Sequence, residues 1–298
     1  MIKNYEIKEK KINRGIELLR TIICFRVLLS HCSSIKKQHL KYFKRCFHVP
    51  TFFVISFYFY YPILYVRKKT KISLRFQRLV YPYIFWPLFV FILNNILFQF
   101  SFFPQHQIKL SIKDLYLQIL TGTKYYRIFW FQFNLIFLSL FFAIFSFIFE
   151  KNLLFSLELL GLISFSFIFS KINLYIFLQY SELIQMSIGR LNESIPLAVL
   201  GCFFSSKNLL TQINNFNFSV YFILVYLVIL LLKNDLFIGF EGFGYSNTLL
   251  FIFSSTILFM LFGSIKLGKL VLINKIIENT TKFTGGIYYI HQIFPKYL

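Results

Sequence analysis

Long apolar segments separated by short basic segments are the feature that most limits the fold of this chain. One of them, "FWFQFNLIFLSLFFAIFSFIF" (129–149), is long enough to cross the hydrocarbon core of a bilayer. Apolar residues make up 57% of the 298 residues and charged residues 14%, whereas a water-soluble domain carries about 25% charged residues. Because a backbone in lipid must satisfy its own hydrogen bonds, and no barrel-type alternation is present, the sequence predicts an all-α polytopic transmembrane helix bundle.

Nine apolar segments are predicted to be membrane spans, and the last of them looks truncated. Their limits are 16–35, 49–66, 79–103, 128–149, 152–170, 186–205, 217–232, 248–265 and 283–298. The segment 171–185 is either re-entrant, interfacial or part of a longer span. The chain is therefore expected to comprise an N-terminal cytoplasmic segment, 1–15, and one transmembrane domain, 16–298.

The net charge of +21 points to a lipid bilayer as partner rather than to nucleic acid. The basic residues lie in short segments between apolar spans, where Lys and Arg determine topology and meet anionic headgroups. Segments 67–78 and 266–282 are basic and would share one side with the N-terminus, whereas 233–247 is slightly acidic. The pattern predicts a multi-pass protein of the cell membrane with a cytoplasmic N-terminus, although the basic segment 35–48 would then lie outside.

Cysteine and histidine residues do not form a recognisable metal site in the sequence. His31, Cys32, His39, Cys46 and His48 lie close together, but their spacing matches no common zinc pattern and there is no Cys-X-X-Cys pair. We therefore expect no metal.

The first apolar segment carries ionisable side chains that a membrane helix tolerates only at some cost in free energy. Arg20 and His31 are eleven residues apart, about three helical turns and roughly 16 Å along the axis, so they share one face. A histidine there can accept and return a proton near neutral pH. Alternatively, Arg20 pairs with Glu17 and His31 lies near the headgroups. Arg26 lies off this face, and its role is not explained.

Polar residues in the next two segments are further candidates for a site. Ser56 is a small polar residue in the middle of the second span, where helix packing is the alternative explanation. Arg75 and Arg78 are three residues apart on a helical entry and would form a fork suited to phosphates. Their alternative role is to fix topology through positive charge on one side.

The fourth span and the end of the chain contribute the remaining candidates. Trp130 opens the fourth span and would line a cavity or, alternatively, belong to an interfacial aromatic belt. Tyr288 and His291 are three residues apart and share one helix face in "TGGIYYIHQIF" (284–294).

Five motifs in the same order resemble acyltransferase family 3, a family of multi-pass membrane O-acyltransferases. Arg20 and His31 match its Arg-X10-His pair in "RGIELLRTIICFRVLLSH", and "HVPTFFVISF" is similar to an apolar stretch that ends in Ser-Gly. The segment "RFQRLVYPYIFWP" carries the Arg-X-X-Arg motif, "FWFQFNLI" resembles the Trp-Phe span start, and "GGIYYIHQIF" resembles the late histidine segment. Phe57 replaces the usual glycine, and the chain ends seven residues after His291, where family members complete the span.

The resemblance implies an acyl transfer in which acetyl is the favoured group and acyl-CoA is the co-substrate. The acceptor would be a hydroxyl of a cell-surface or lipid-linked glycan. No cofactor is implied. The implied catalytic residues are His31 as general base and Arg20 as an orienting or anion-binding group. Arg75 and Arg78 would bind donor phosphates. The expected cavity-lining residues are Ser56, Trp130, Tyr288 and His291. The alternatives are a polysaccharide polymerase or flippase and an inactive, truncated relative.

Overall fold

The computed structural model describes residues 13–31, 50–100, 110–122, 129–149, 152–169, 182–210, 245–264, 275 and 279–280. These residues form helices and connecting turns, without a strand among them, which confirms the all-α prediction. The helices are α1 (Arg14–His31), α2 (Thr51–Val66), α3 (Lys69–Gln99), α4 (Ile112–Thr121), α5 (Phe129–Ile148), α6 (Leu153–Phe169), α7 (Glu182–Ser206) and α8 (Tyr245–Ser264).

Most of these helices coincide with predicted spans to within a few residues. Two segments are long and apolar enough to cross a membrane, judged by length and composition: Lys69–Ile96 in α3 and Phe129–Ile148 in α5. The predicted spans 217–232 and 283–298 lie outside the described residues, as does most of the segment 171–185.

Helix α3 begins ten residues before the predicted span, so most of the basic segment 67–78, from Lys69 onwards, is helical and belongs to α3. Helix α2 ends at Val66, its C-cap Arg67 has a left-handed backbone (φ 51°), and α3 starts at Lys69. Lysine and arginine are good helix formers, and exposed charge does not prevent a helix from extending beyond an apolar core. The side chain of Ile72 anchors this basic first turn, because it is buried in the bundle.

The short helix α4 was not predicted. Its first turn is closed by a capping box, in which the Ser111 hydroxyl accepts from the Asp114 amide and the Asp114 carboxylate accepts from the Ser111 amide. Gly122 ends the helix in the left-handed conformation (φ 67°). The Ser-X-X-Asp pattern followed by Gly122 is a recognised start and stop signal, so this helix could have been found in the sequence.

Helix α2 lies at the centre of the main core and packs most extensively against α7. At their crossing, a Cβ atom on Gly201 would meet the Val54 carbonyl oxygen and lie 2.9 Å from the Tyr58 nitrogen. Phe57, where the family usually has glycine, is fully buried, and its ring centroid lies 4.9 Å from that of Phe142 on α5. The close approach therefore depends on a glycine of α7, and the Phe57 side chain starts at the same crossing, with its Cβ atom 3.2 Å from the added Cβ atom.

The start of α1 is joined to the end of α8. The Asn13 side chain accepts hydrogen bonds from the amides of Gly15 and Ile16, and its Nδ2 donates to the Gly263 carbonyl over 3.0 Å. One asparagine thus caps α1 and satisfies a carbonyl in the last turn of α8, where orphan groups would otherwise remain.

Candidate active site

The guanidinium group of Arg75 connects α3 to two other helices. Its Nη2 donates to the Ser56 hydroxyl of α2 over 2.8 Å, and its Nε donates to the Ser139 hydroxyl of α5 over 3.1 Å. The structure therefore brings together two residues that the sequence had singled out separately, Arg75 and Ser56. Because Nε and Nη2 are fixed by different helices, the plane of the guanidinium group is held in one orientation.

Aromatic rings complete the surroundings of this cation. The Arg75 Cζ atom lies 4.1 Å from the centroid of the Tyr60 ring and 5.5 Å from that of the Phe57 ring. The Tyr60 hydroxyl donates to the Ser139 carbonyl oxygen over 3.3 Å, which holds its ring beside the guanidinium. Electron-rich ring faces attract a cation and partly replace the water that it has lost.

No carboxylate neutralises Arg75 among the residues that the structure describes; its neighbours there are the two serine hydroxyls, the two rings and the buried Cys202 thiol. Neutral hydroxyls and rings leave the positive charge uncompensated. An ionisable side chain inside a membrane bundle normally pairs with a partner of opposite charge or marks a functional site. This group is therefore suited to attract an anion.

Arg78 has different surroundings from Arg75, although one helical turn separates them. The Arg78 side chain is exposed, and three other exposed basic residues lie on the first turn of α3 or beside it: Lys68, Lys69 and Lys71. The sequence had suggested that the two arginines form one phosphate-binding fork. In the structure, two nitrogens of Arg75 are bound by protein hydroxyls, while Arg78 belongs to an exposed basic surface.

Arg20 forms the ion pair that was the structural alternative for it. Its Nη1 atom lies 2.9 Å from both carboxylate oxygens of Glu17, one turn earlier on α1. The Arg20 side chain is 35% exposed and that of Glu17 14%. The pair fixes the direction of Arg20 on this face but leaves part of its guanidinium accessible.

His31 is the last residue of α1, and its side chain lies outside the described part of the chain. Because α1 is continuous from Arg14 to His31, the backbone separation between Arg20 and His31 is about three turns, as the motif requires. Tyr288 and His291 lie outside the described residues, and their cavity-lining roles stay predictions.

Trp130 lies in a different part of the bundle from Arg75. Its ring packs against Phe53 at the start of α2, with 6.4 Å between centroids, and the residue is 9% exposed. Ser139, which binds Arg75, follows nine residues later on α5, about 13 Å along the axis. Ser56 and Trp130 therefore do not line one compact pocket around Arg75.

Sequence reasoning missed Ser139 and Tyr60 as partners of Arg75. Both are polar groups inside apolar spans, which was the signal used for Ser56, but many other serines and tyrosines share that signal. Nothing in the sequence shows which of them faces Arg75. Among the described residues, no group of three or more His, Cys, Asp or Glu side chains could hold a metal ion.

Comparison with known proteins identifies the family. A family model described as an acyltransferase domain, that of acyltransferase family 3, matches residues 13–298. The chain belongs to acyltransferase family 3. The match covers the whole bundle, from the cap of α1 onwards, and confirms the resemblance carried by the five motifs. Neither a curated protein nor a solved structure shows significant similarity to the chain.

Proposed function

We propose that this family 3 acyltransferase is a multi-pass O-acyltransferase that moves an acetyl group from acetyl-CoA to a hydroxyl of a cell-surface or lipid-linked glycan. The acceptor oxygen attacks the thioester carbonyl carbon, so a C–O bond forms and the C–S bond breaks. The hydroxyl proton passes to a base, and the base returns a proton to the leaving CoA thiolate. The products are an O-acetyl ester and free CoA.

The observation that carries this proposal is the uncompensated cation inside a bundle of the acyltransferase family. Arg75 is held by Ser56 and Ser139, and none of its contacts in the described structure is a carboxylate. Acyl transfer has two anionic partners, the phosphates of the donor and the oxyanion that forms at the carbonyl. A fixed donor group in a site of low polarity stabilises such charge more than it would in water.

The remaining roles follow the chemistry of each group. His31 would be the general base for the acceptor hydroxyl. Arg20, oriented by Glu17, would bind an anionic part of the donor or of the intermediate. Arg78 and the neighbouring lysines would attract the donor phosphates to the end of the bundle.

A thiol-release assay tests the proposal. The detergent-solubilised full chain is mixed with acetyl-CoA and with membrane glycan, and free CoA thiol is followed with a thiol reagent. We expect thiol release that depends on added glycan. Thiol release that is absent, or that is the same without any acceptor, would contradict acetyl transfer to a glycan.

Replacing Arg75 by methionine separates its function from its contribution to the fold. Methionine fills a similar volume without a charge and breaks no ion pair. The Arg75→Met protein should therefore unfold within a few degrees of the wild type, because the Ser56 and Ser139 hydroxyls that lose Arg75 can donate to carbonyls of their own helices instead. Acetyl transfer should fall about a hundredfold or more, as expected when a group that stabilises transition-state charge is removed. Unchanged acetyl transfer together with a much lower unfolding temperature would show that Arg75 only stabilises the fold.

Replacing Arg78 by alanine should act on donor binding. We expect KM for acetyl-CoA to rise about fivefold to tenfold, with a smaller change in kcat. The salt dependence of KM should also weaken, because salt screens the attraction between an exposed cation and the donor phosphates. The matched control is Lys113→Ala, which removes an exposed cation from α4 instead. Equal changes in KM for acetyl-CoA in the two variants would contradict a specific role of Arg78 in donor binding.

A further inference from the structure

The short helix α4 turns its apolar side chains outward and its polar side chains inward. Ile112, Tyr116 and Leu120 are spaced by four residues, so they share one face, and all three are exposed. Gln118 and Thr121, on the other side of the helix, are buried. A surface helix of a water-soluble protein has the opposite arrangement, with its polar face outward. The exposed face of α4 is therefore suited to an apolar medium.

Hydrogen bonds hold α4 antiparallel to the second half of α3. Asn95 donates through Nδ2 to the Leu110 carbonyl over 3.3 Å and accepts through Oδ1 from the Leu110 amide over 3.2 Å. At the other end of α4, the Tyr83 hydroxyl donates to the Ile119 carbonyl over 2.6 Å. Tyr83 lies at the middle of the apolar segment Lys69–Ile96 and Asn95 at its end, about 18 Å apart along the axis. Helix α4 thus lies beside one half of a segment able to cross a bilayer.

Helix α5 does not occupy that half of α3, because it begins at the level of Tyr83. The ring of Phe129, the first residue of α5, lies 6.2 Å from the Tyr83 ring, centroid to centroid. From there α5 runs towards Arg75, which binds Ser139. A Cβ atom on Gly122 would lie 2.8 Å from the Phe129 carbonyl oxygen, so the end of α4 meets the start of α5 closely. The two helices follow one another along α3, and α4 covers the half that α5 does not reach.

The exposed side chains of α3 beside α4 are apolar as well. Between Tyr83 and Asn95, the exposed residues of α3 are Ile84, Phe85, Leu88, Phe89 and Ile92. The exposed cation of α4, Lys113, lies in its first turn, at the end next to Asn95. From there a lysine amine can reach the headgroups while its stem stays in apolar surroundings. At this level both helices therefore present a surface that matches lipid acyl chains.

The backbone groups at both ends of α4 are paired, as a helix that ends in lipid requires. The capping box closes its first turn. In its last turn, the Thr121 hydroxyl donates to the Leu117 carbonyl over 2.7 Å, and the Gly122 amide donates to the Gln118 carbonyl over 2.8 Å. Together with the Ile119 carbonyl, three consecutive carbonyls near the end of the helix have donors. None of these three carbonyls needs water as a partner.

We infer that α4 is a half-helix embedded in the bilayer, with Ile112, Tyr116 and Leu120 against lipid acyl chains. It enters the bilayer at the level of Asn95 and ends near the middle of the bilayer, beside Tyr83. The inference also explains two polar side chains inside an apolar span, because Asn95 and Tyr83 supply hydrogen bonds to a backbone that lipid cannot solvate. It is independent of the reaction that the protein catalyses.

Quenching of tryptophan fluorescence by brominated lipid tests the position of α4. The chain has two tryptophans. A Trp86→Phe parent gives the signal of Trp130, which is subtracted. Ile112→Trp or Leu120→Trp then adds one reporter, and the two sites are about 12 Å apart along the axis. The full chain is placed in nanodiscs of phosphatidylcholine brominated either near the headgroup or near the ends of its acyl chains. Ser73→Trp, on the exposed polar start of α3, is the control.

We expect lipid brominated near the chain ends to quench Leu120→Trp most strongly, and lipid brominated near the headgroup to quench Ile112→Trp most strongly. Acrylamide in the aqueous phase should quench Ser73→Trp more than either α4 variant. Equal depths for the two α4 sites would show a helix lying flat among the headgroups. Strong quenching of both by acrylamide would place α4 in water, and protection from bromine and acrylamide alike would show that protein covers this face. Each of these three results would overturn the inference.

Tyr83→Phe tests whether water reaches the end of α4. It removes the hydroxyl that binds the Ile119 carbonyl and keeps the ring beside Phe129. In lipid no water can replace this bond, so the unfolding temperature should fall by several degrees. Tyr81→Phe removes an exposed hydroxyl two residues earlier on α3 and should leave it unchanged. Equal unfolding temperatures for the two variants would show that water solvates the Ile119 carbonyl, which would contradict an embedded α4.

Discussion

The His31→Ala protein is expected to be inactive in acetyl transfer while it still accumulates in the membrane. A hydroxyl is a poor nucleophile until a base removes its proton, and a positioned base contributes about a hundredfold to ten-thousandfold to such a step. The loss should appear in kcat, since alanine removes the base without removing donor-binding cations. The measurement is glycan-dependent release of CoA thiol by purified wild-type and variant proteins.

His39→Ala provides the control for this substitution. It removes another imidazole close in sequence that has no assigned part in the reaction, so its kcat should match that of the wild type. Retention of most activity by His31→Ala, or an equal loss in His39→Ala, would refute the role of His31 as general base.

Gly201→Ala is expected to cause a large loss of stability, because the added methyl group has no room between α7 and α2. The added Cβ atom would lie against the Val54 carbonyl oxygen and 2.9 Å from the Tyr58 nitrogen, and both belong to the backbone of α2. Backbone atoms inside a helix cannot move aside, so α7 must shift away from α2. We expect a destabilisation of about 3 kcal/mol, at the upper end for overpacked cores, despite the better helix propensity of alanine.

Gly161→Ala on α6 is the matched substitution. There the added Cβ atom would lie 3.0 Å from Cγ1 of Val199, a side-chain methyl group that can shift by a few tenths of an ångström. The gain of about 1 kcal/mol in helix propensity should then offset most of the crowding. Thermal unfolding in detergent should place Gly201→Ala well below the wild type and Gly161→Ala close to it. Equal unfolding temperatures for the two variants would contradict the proposed crossing of α2 and α7.

Helix positions were largely readable from the apolar segments, because a backbone in lipid has few alternatives to a helix. The start of α3 was misplaced because hydropathy marks where the apolar core begins, whereas a helix continues through Lys69 and Lys71, which are exposed and favour the helical state. Helix α4 was missed for a related reason: its signals are the Ser111–Asp114 capping box and Gly122, and not a long apolar segment.

The sequence identified residues of the candidate site, but it did not show which contacts they make. The motif order identified Arg20, Arg75 and Arg78, and the family match supports that resemblance. The sequence offered the Arg20–Glu17 pair only as one alternative, since spacing alone does not decide which partner a side chain takes. It gave no sign that Ser139 binds Arg75, because a contact between two helices depends on the rotation of each helix about its axis.

The linkage of the transferred group tests the proposed formation of an O-acyl ester. Membranes that contain the wild-type protein or His31→Ala are incubated with acetyl-CoA radiolabelled in the acetyl group, and label in the glycan fraction is counted before and after mild alkali. We expect label in the wild-type glycan that mild alkali releases, as an ester would, and no label in the glycan with His31→Ala. Glycan that stays unlabelled, or label that resists alkali as an amide does, would contradict it.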